Sequence, residues 1–216
     1  MAVRKNPQEE YERIKAMKAF DLEHKKSGYL AGVDEAGRGP LAGPVFAAAV
    51  ILDDDVLIEG INDSKKLSEK KRDMLYDEIC QKALAYSVFS VDEKCIDEMN
   101  ILNATFKAMC GAVDGLTKTP DYVLIDGDKS PGLLIEHETV VKGDSKSMSI
   151  AAASILAKVS RDRYITELAE EYPQYGFEKH KGYGTKAHYE AIEKYGICPI
   201  HRKTFLKKIL SGTKNN

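Results

Sequence analysis

The sequence predicts an α/β fold, a mixed sheet flanked by helices and followed by a helical C-terminal segment. Three observations point there. Two apolar runs separated by a glycine-rich loop follow a short leading helix, helical and strand-like stretches then alternate, and helical periodicity dominates after residue 147.

Asn6-Pro7 reads as an N-cap with proline at the first helical position, and Glu9 and Glu10 sit where free N–H groups favour acids. This helix is expected to reach about Lys26, with Tyr11, Ile14, Met17 and Phe20 on one side, until Ser27-Gly28 ends it. Tyr29–Asp34 and Pro44–Leu52 read as buried strands. Between them Gly37, Gly39, Pro40 and Gly43 cannot continue a strand, because proline has no N–H for the ladder and glycine nothing to pack. Ser68 caps a helix to about Ala83, with Leu75, Ile79 and Ala83 at helical spacing, and Leu84–Val91 returns as a strand. Asn100–Leu116 is helical through Leu102, Phe106, Met109 and Val113. Tyr122–Ile125 and Thr139–Val141 are short apolar runs leading into Asp126-Gly127 and Gly143-Asp144. Ser147–Glu171 is a long helix, and Thr185–Tyr195 another, with Gly196 just past its end and Pro199 beyond. Arg202–Leu210 is a last short helix, and the polar tail Ser211–Asn216 is expected to fray. The division this implies is a helical extension over 1–28, a core over 29–165 and a helical segment over 166–216, the last two forming one domain from 28 to 216.

With 216 residues, 43% of them hydrophobic, the chain can bury a proper core. Lys and Arg number 32 against 34 Asp and Glu, so the net charge of −2 points to no polyanionic partner. The distribution is less even: residues 142–208 hold 13 Lys/Arg against 8 Asp/Glu, which permits a basic binding face. Cys80, Cys95, Cys110 and Cys198 form no C-x-x-C pair and no zinc-like spacing with the five histidines, so they read as reduced, partly buried thiols. No apolar run approaches the roughly 18 residues that span a bilayer, and Met1–Glu10 has no signal-peptide apolar core. A soluble, cytoplasmic chain with no membrane partner is expected.

Chemistry enters where acids meet strand ends. Asp34-Glu35 follows Tyr29–Val33 directly, Asp126 follows Val123-Leu124-Ile125, and Asp144 follows Val140-Val141 after a short loop. Carboxylates gathered at one sheet edge repel each other unless a cation sits among them, and oxygen-only donors suit Mg²⁺ or Mn²⁺ better than zinc. Two such ions about 3.5–4 Å apart would serve an in-line phosphoryl displacement. Asp-Gly is also an ordinary turn pair, and spacing alone leaves that reading open. In Asp34–Pro44 (DEAGRGPLAGP), glycines leave backbone N–H groups bare and Arg38 offers a planar fork for phosphate. The loop lacks a following Lys-Ser/Thr and does not match G-x-G-x-x-G, so it is neither a P-loop nor a dinucleotide site.

The stretch GVDEAGRGPLAGPV (Gly32–Val45) resembles, nearly letter for letter, the signature of type 2 ribonuclease H, the ribonuclease HII family. Five further blocks follow in the family's order: NDSKKLS (Asn62–Ser68), LIDGD (Leu124–Asp128), KGDSKSMSIAAASILAKVSRDRY (Lys142–Tyr164), HKGYGTKAH (His180–His188) and GICPIHRKTF (Gly196–Phe205). The resemblance implies a ribonuclease H-like fold, a mixed five-stranded sheet with flanking helices and a helical C-terminal part. It implies a divalent-metal endonuclease, using Mg²⁺ or Mn²⁺, that cuts RNA in RNA–DNA hybrids and in duplex DNA carrying single ribonucleotides. It maps the metal-binding acids onto Asp34, Glu35, Asp126 and Asp144, the same acids the strand ends select. It maps the loop that grips the ribonucleotide onto Gly37, Arg38 and Gly39, and the tyrosine that senses the RNA–DNA junction onto Tyr183. Ser145 stands where the family often has Ala. Ala36, where ribonuclease HIII tends to have Ser, and the short leading segment favour ribonuclease HII over that relative. A monomer is expected.

Lys65 and Lys146 lie beside these blocks as candidate phosphate contacts, whereas Lys158 and Arg161 are expected on a solvated helix face. His180, His188 and His201 lack metal spacing and are taken as structural or peripheral to substrate. Tyr172, Tyr175 and Phe177 are expected to pack the helical segment. Two other readings stand beside the nuclease: a binding module that has lost catalysis, and a DNA-only nuclease or transposase of the same fold. The acid set speaks against the first, since a binder gains nothing from negative charge facing phosphate. The glycine-arginine-glycine loop and Tyr183 speak against the second, since DNA-only enzymes need no 2′-OH sensor.

Overall fold

The computed structural model describes residues 6–207. The last residues of the expected Arg202–Leu210 helix and the tail Ser211–Asn216 lie outside them. Six α-helices and five strands are formed among the described residues: α1 Pro7–His24, β1 Leu30–Ala36, β2 Val45–Leu52, α2 Glu69–Lys82, β3 Ala83–Val91, α3 Glu93–Asp114, β4 Tyr122–Asp126, β5 His137–Val140, α4 Met148–Glu171, α5 Phe177–His180 and α6 Lys186–Tyr195. Each expected strand is present with its ends shifted by a few residues. The expected side-chain caps Asn6 and Ser68 accept from the Gln8 and Lys71 N–H groups, and Ser147 and Thr185 cap their helices in the same way, accepting from Ile150 and His188.

α3 starts earlier than expected. Asn100 takes φ +69° and its side chain accepts from the N–H groups of Leu102 and Asn103, so it restarts the helix after a first segment over Glu93–Met99. The C-terminal stretch is a 3₁₀ turn over Lys203–Leu206. The buried side of α1 is also rotated: Ile14, Met17, Lys18 and Asp21 face inward while Tyr11 is exposed.

The sheet is mixed and five-stranded, in the order β3-β2-β1-β4-β5. β1 pairs antiparallel with β2 and parallel with β4, and β4 pairs parallel with β5. The chain winds outward from β1 through β2 and β3, then crosses by α3 to β4 on the other side of β1. The order of connection therefore reverses between β1 and β4, where open α/β sheets leave a crevice at their C-terminal strand ends. One face of the sheet buries Val50, Leu52 and the alanines of α4 with α1 and α2; the other buries Val33, Ile51, Val123 and Ile125 against α3. A third apolar cluster, with Tyr175, Phe177, Ile192 and Leu206, packs the C-terminal segment, as expected for Tyr175 and Phe177. All four cysteines are free. Among the described residues no helix is long and apolar enough to cross a membrane.

Candidate active site

The register of β1 on β4 brings the acids together. Val33 pairs with Ile125, so the residues that follow, Asp34 and Asp126, stand side by side where the two parallel strands end. Strand alternation then turns Glu35 toward the opposite face of the sheet, the α3 side. Asp144 arrives from a 3₁₀ turn, Gly143–Ser145, between β5 and α4. Asp126 Oδ1 accepts from Gly143 N at 2.6 Å and from Asp144 N at 3.4 Å, which joins the turn to the end of β4. Asp34 Oδ1 accepts from Glu35 N at 2.7 Å. Asp34 and Asp144 are buried at 5% and 8% exposure.

Buried acids in contact cannot all ionise cheaply. Burial, then Glu35 and Asp126, push the Asp34 carboxyl well above the usual carboxylate range. Glu35 is raised mainly by burial, against the pull of Arg38, whose guanidinium lies 3.5 Å away. Asp144 is raised to about 6 by burial and by Asp126 and Asp63. Burial works against the Lys65 ammonium, but Asp34, Asp63, Asp144 and Glu35 outweigh it and raise its pKa. Lys65 is thus brought to the acids. Asp63 caps the 3₁₀ turn Ser64–Lys66 that carries it, accepting the Lys65 backbone N–H at 2.9 Å, a role the sequence did not mark. Lys146 is exposed just past the turn and makes no ion pair among the described residues.

The donor set is all oxygen, with more acids than cations, which fits a hard divalent ion. Among the described residues no three His, Cys, Asp or Glu side chains close around a single point. An ion held here would take one or two of these carboxylates and complete its shell with water and phosphate oxygens, as Mg²⁺ ordinarily does. Beside the acids a cleft of about 110 Å³ is lined by Glu35, Arg38, Thr105, Asp126, Asp128 and Lys129.

The glycine-rich loop is held from beneath by two buried arginines. Arg202 donates to the carbonyls of Gly37 (2.6 Å), Arg38 (2.9 Å) and Gly43 (2.6 and 2.9 Å), and its own N–H bonds Leu41 O. Arg161 donates to Ala42 O, Pro44 O and Lys181 O. Both are fully buried, so the expectation of Arg161 on a solvated face is corrected. The reason is chemical: a guanidinium has five donors, and this loop has carbonyls no strand can pair. Lys158 stays partly exposed and pairs with Asp162 at 2.7 Å. Gly37 has φ +97°, and a Cβ there would stand 2.1 Å from Arg161 Nε, so only glycine fits. Arg202→Ala would strand three carbonyls at about 1–3 kcal/mol each. A fall in the free energy of unfolding of at least about 3 kcal/mol is expected, measured by chemical denaturation.

Tyr183 stands over this loop, with its Cε1 3.7 Å from where a Cβ on Gly39 would sit, and the residue is 43% exposed. Leu41 N donates to Gly182 O at 2.8 Å, tying the two turns together. Histidines fix the tyrosine from behind. Cys198 N donates to His201 Nδ1 (2.9 Å), His201 Nε2 lies 3.1 Å from His188 Nε2, and His188 Nδ1 lies 2.9 Å from Tyr183 O. One assignment of protons satisfies all three: His201 donates to His188, which donates to Tyr183 O. Burial, then His188, lower His201 to about 4, so both rings stay neutral. These histidines are structural, as expected, and His180 stacks on His188.

Comparison with known proteins finds a family model described as Ribonuclease HII matching residues 31–208. A ribonuclease HII of Caldicellulosiruptor bescii is 60% identical over 196 residues, covering 89% of this chain and 95% of its own. One of Clostridioides difficile is 58% identical over 207 residues, covering 95% and 81%. Among solved structures, the ribonuclease H2 of Pyrococcus horikoshii superposes with a TM-score of 0.72 at 30% identity, covering 88% of this chain and all of that one.

Proposed function

Because this chain belongs to the ribonuclease HII family of nucleases, we propose that it is an endonuclease that cuts RNA paired with DNA and incises duplex DNA 5′ of a single embedded ribonucleotide. The products would be a 3′-OH and a 5′-phosphate, as ribonucleotide repair and primer removal require. The observation that carries the reading is the convergence of four carboxylates at the β1/β4 strand ends with an arginine-held glycine loop and Tyr183.

In this reading Asp34, Glu35, Asp126 and Asp144 would hold two Mg²⁺ or Mn²⁺ ions, which would supply activation of water and stabilisation of the leaving oxygen. The chain's residues do the rest. Arg202 and Arg161 draw the loop carbonyls inward, which leaves the backbone of Gly37, Arg38 and Gly39 to meet the ribose 2′-OH. The Tyr183 ring stacks on the neighbouring deoxyribose, and Lys65 and Lys146 meet phosphates. Residues 29–165 form the catalytic core, 1–28 a helical extension, and 166–216 the segment that brings Tyr183. The protein acts as a cytoplasmic monomer.

The test is a labelled RNA–DNA hybrid and a labelled duplex with one ribonucleotide, each with Mg²⁺, Mn²⁺ or EDTA. Metal-dependent cleavage of both, with a single cut 5′ of the ribonucleotide, is expected. Cleavage of the hybrid alone would move the specificity to that of ribonuclease HIII, and cleavage in EDTA would end the metal reading. Hybrid affinity should also fall with salt as lysines displace counterions, and Lys65→Ala should lower the log–log slope by about one. An unchanged slope removes Lys65 from the phosphate contacts.

A further inference from the structure

We infer that Asp21 of α1, which lies ahead of the segment matched by the family model, is a positioning residue for the turn that carries Asp144 and grips Asp126. The inference rests on the proposed role of those two acids as metal ligands.

A helix that merely covered α4 would place an apolar residue at this position, since burying a carboxylate is costly unless it is fully hydrogen-bonded. Asp21 is 3% exposed. It accepts from Ser147 Oγ at 2.5 Å, Ser149 N at 2.9 Å and Ser149 Oγ at 2.8 Å. Ser147 is the N-cap of α4, and its hydroxyl also accepts from Ile150 N at 3.1 Å. The Ser149 N–H is one of the donors that the first turn of a helix leaves free, at the positive end of its dipole. Lys18, one turn back on the same face, donates to Asp53 O instead. The Asp21 carboxylate is therefore held by dipoles, as a second cap brought from outside the helix.

From that cap a short run of hydrogen bonds leads to the acids. Ser147 N and Lys146 N both donate to Gly143 O, at 2.8 and 2.9 Å. Gly143 N in turn donates to Asp126 Oδ1 at 2.6 Å. Lys142, which opens the turn, holds φ +56°, a conformation that costs a residue with a Cβ and persists only where its surroundings impose it. β1 is seated on the same helix start: a Cβ on Gly32 would lie 2.2 Å from the Ser149 carbonyl carbon. A shift in the first turn of α4 would thus move Asp144, the grip on Asp126 and the strand bearing Asp34 together.

The test uses the full chain and Mn²⁺ alone, titrated by calorimetry, with hybrid cleavage measured in parallel. Asp21→Asn is expected to weaken Mn²⁺ binding about tenfold, as loss of an outer hydrogen-bond partner does at metal sites, and to lower kcat with KM for the hybrid unchanged. Ser149→Ala, which removes one of the three bonds, should give a smaller loss in the same direction. Arg13→Ala loosens the same helix through its bonds to Glu10 and Ile61 O, away from Asp21, and should leave Mn²⁺ affinity and kcat at their original values. Unaltered Mn²⁺ affinity in Asp21→Asn, or an equal loss in Arg13→Ala, overturns the inference. If Asp21→Asn does not fold, Ser149→Ala decides: weakened binding supports the inference and unaltered binding overturns it. Asp144→Asn separates the two levels. If that variant binds Mn²⁺ as before, the ligand assignment falls and this inference with it; if it loses binding while Asp21→Asn does not, the inference falls alone.

Discussion

Asp34→Asn or Asp126→Asn is expected to reduce hybrid cleavage by a factor on the order of 10³ or more while the fold stays intact. Asparagine keeps the volume and keeps a carbonyl oxygen to accept from Glu35 N or Gly143 N, the bonds that orient these two side chains. It removes only the charge that, in the proposed reading, would hold a divalent ion. The same acids should destabilise the metal-free protein. Folding raises Asp34 and Glu35, and carries Asp144 from 3.8 to about 6, so the folded state favours the protonated forms. For Asp144 the resulting penalty is absent below about pH 4, grows as pH rises toward about 6 and is complete above it. In chelator at pH 7.5, Asp144→Asn should therefore gain stability on the order of 1–2 kcal/mol, or roughly 2–6 °C in Tm, and little at pH 4. Calorimetric scans at the two pH values check this. Loss of the fold in Asp34→Asn, or a lower Tm at pH 7.5 in Asp144→Asn, would contradict the clustered-charge account.

Tyr183→Ala is expected to lose cleavage of a single-ribonucleotide duplex by about 10²-fold or more, while Tyr183→Phe retains most of it. In such a duplex one hydroxyl distinguishes the substrate from plain DNA, so discrimination depends on groups that touch that nucleotide and its neighbour. The ring is half open to solvent beside Gly39, whereas the backbone of the residue is fixed by His188, so phenylalanine can occupy the same place. A long hybrid offers many equivalent registers and should suffer less. Gel assays of both variants on both substrates give the comparison. Equal losses on the two substrates, or a phenylalanine variant as impaired as alanine, would remove the stacking role.

Much of this architecture is written locally. The capping residues Asn6, Ser68, Ser147 and Thr185 mark helix starts because a short polar side chain can satisfy N–H groups only two or three residues away. The five apolar runs are strands, and the acids near their ends are legible because a carboxylate that closes an apolar run lies at or near the end of a strand. The glycines mark the loop locally, since Gly37 at φ +97° takes a backbone conformation that other residues rarely adopt, though the arginines that hold the loop come from far along the chain. What local pattern missed were the charged residues that became buried. Arg161 reads as solvent-facing, because charge ordinarily stays in water, and nothing in the local pattern marks Lys18, Asp21 or Arg202 as buried.

The tertiary structure decided two things that periodicity does not record. One is register: only the pairing of Val33 with Ile125 sets Asp34 beside Asp126, and that pairing joins segments separated by about ninety residues and two intervening strands. The other is the partner of each buried charge. Arg202 reaches Gly37 O across 165 positions, and Asp21 reaches Ser147 across 126. A charge can leave water only when enough fixed dipoles meet it, and here those dipoles come from a loop and a helix end that only the folded chain brings near.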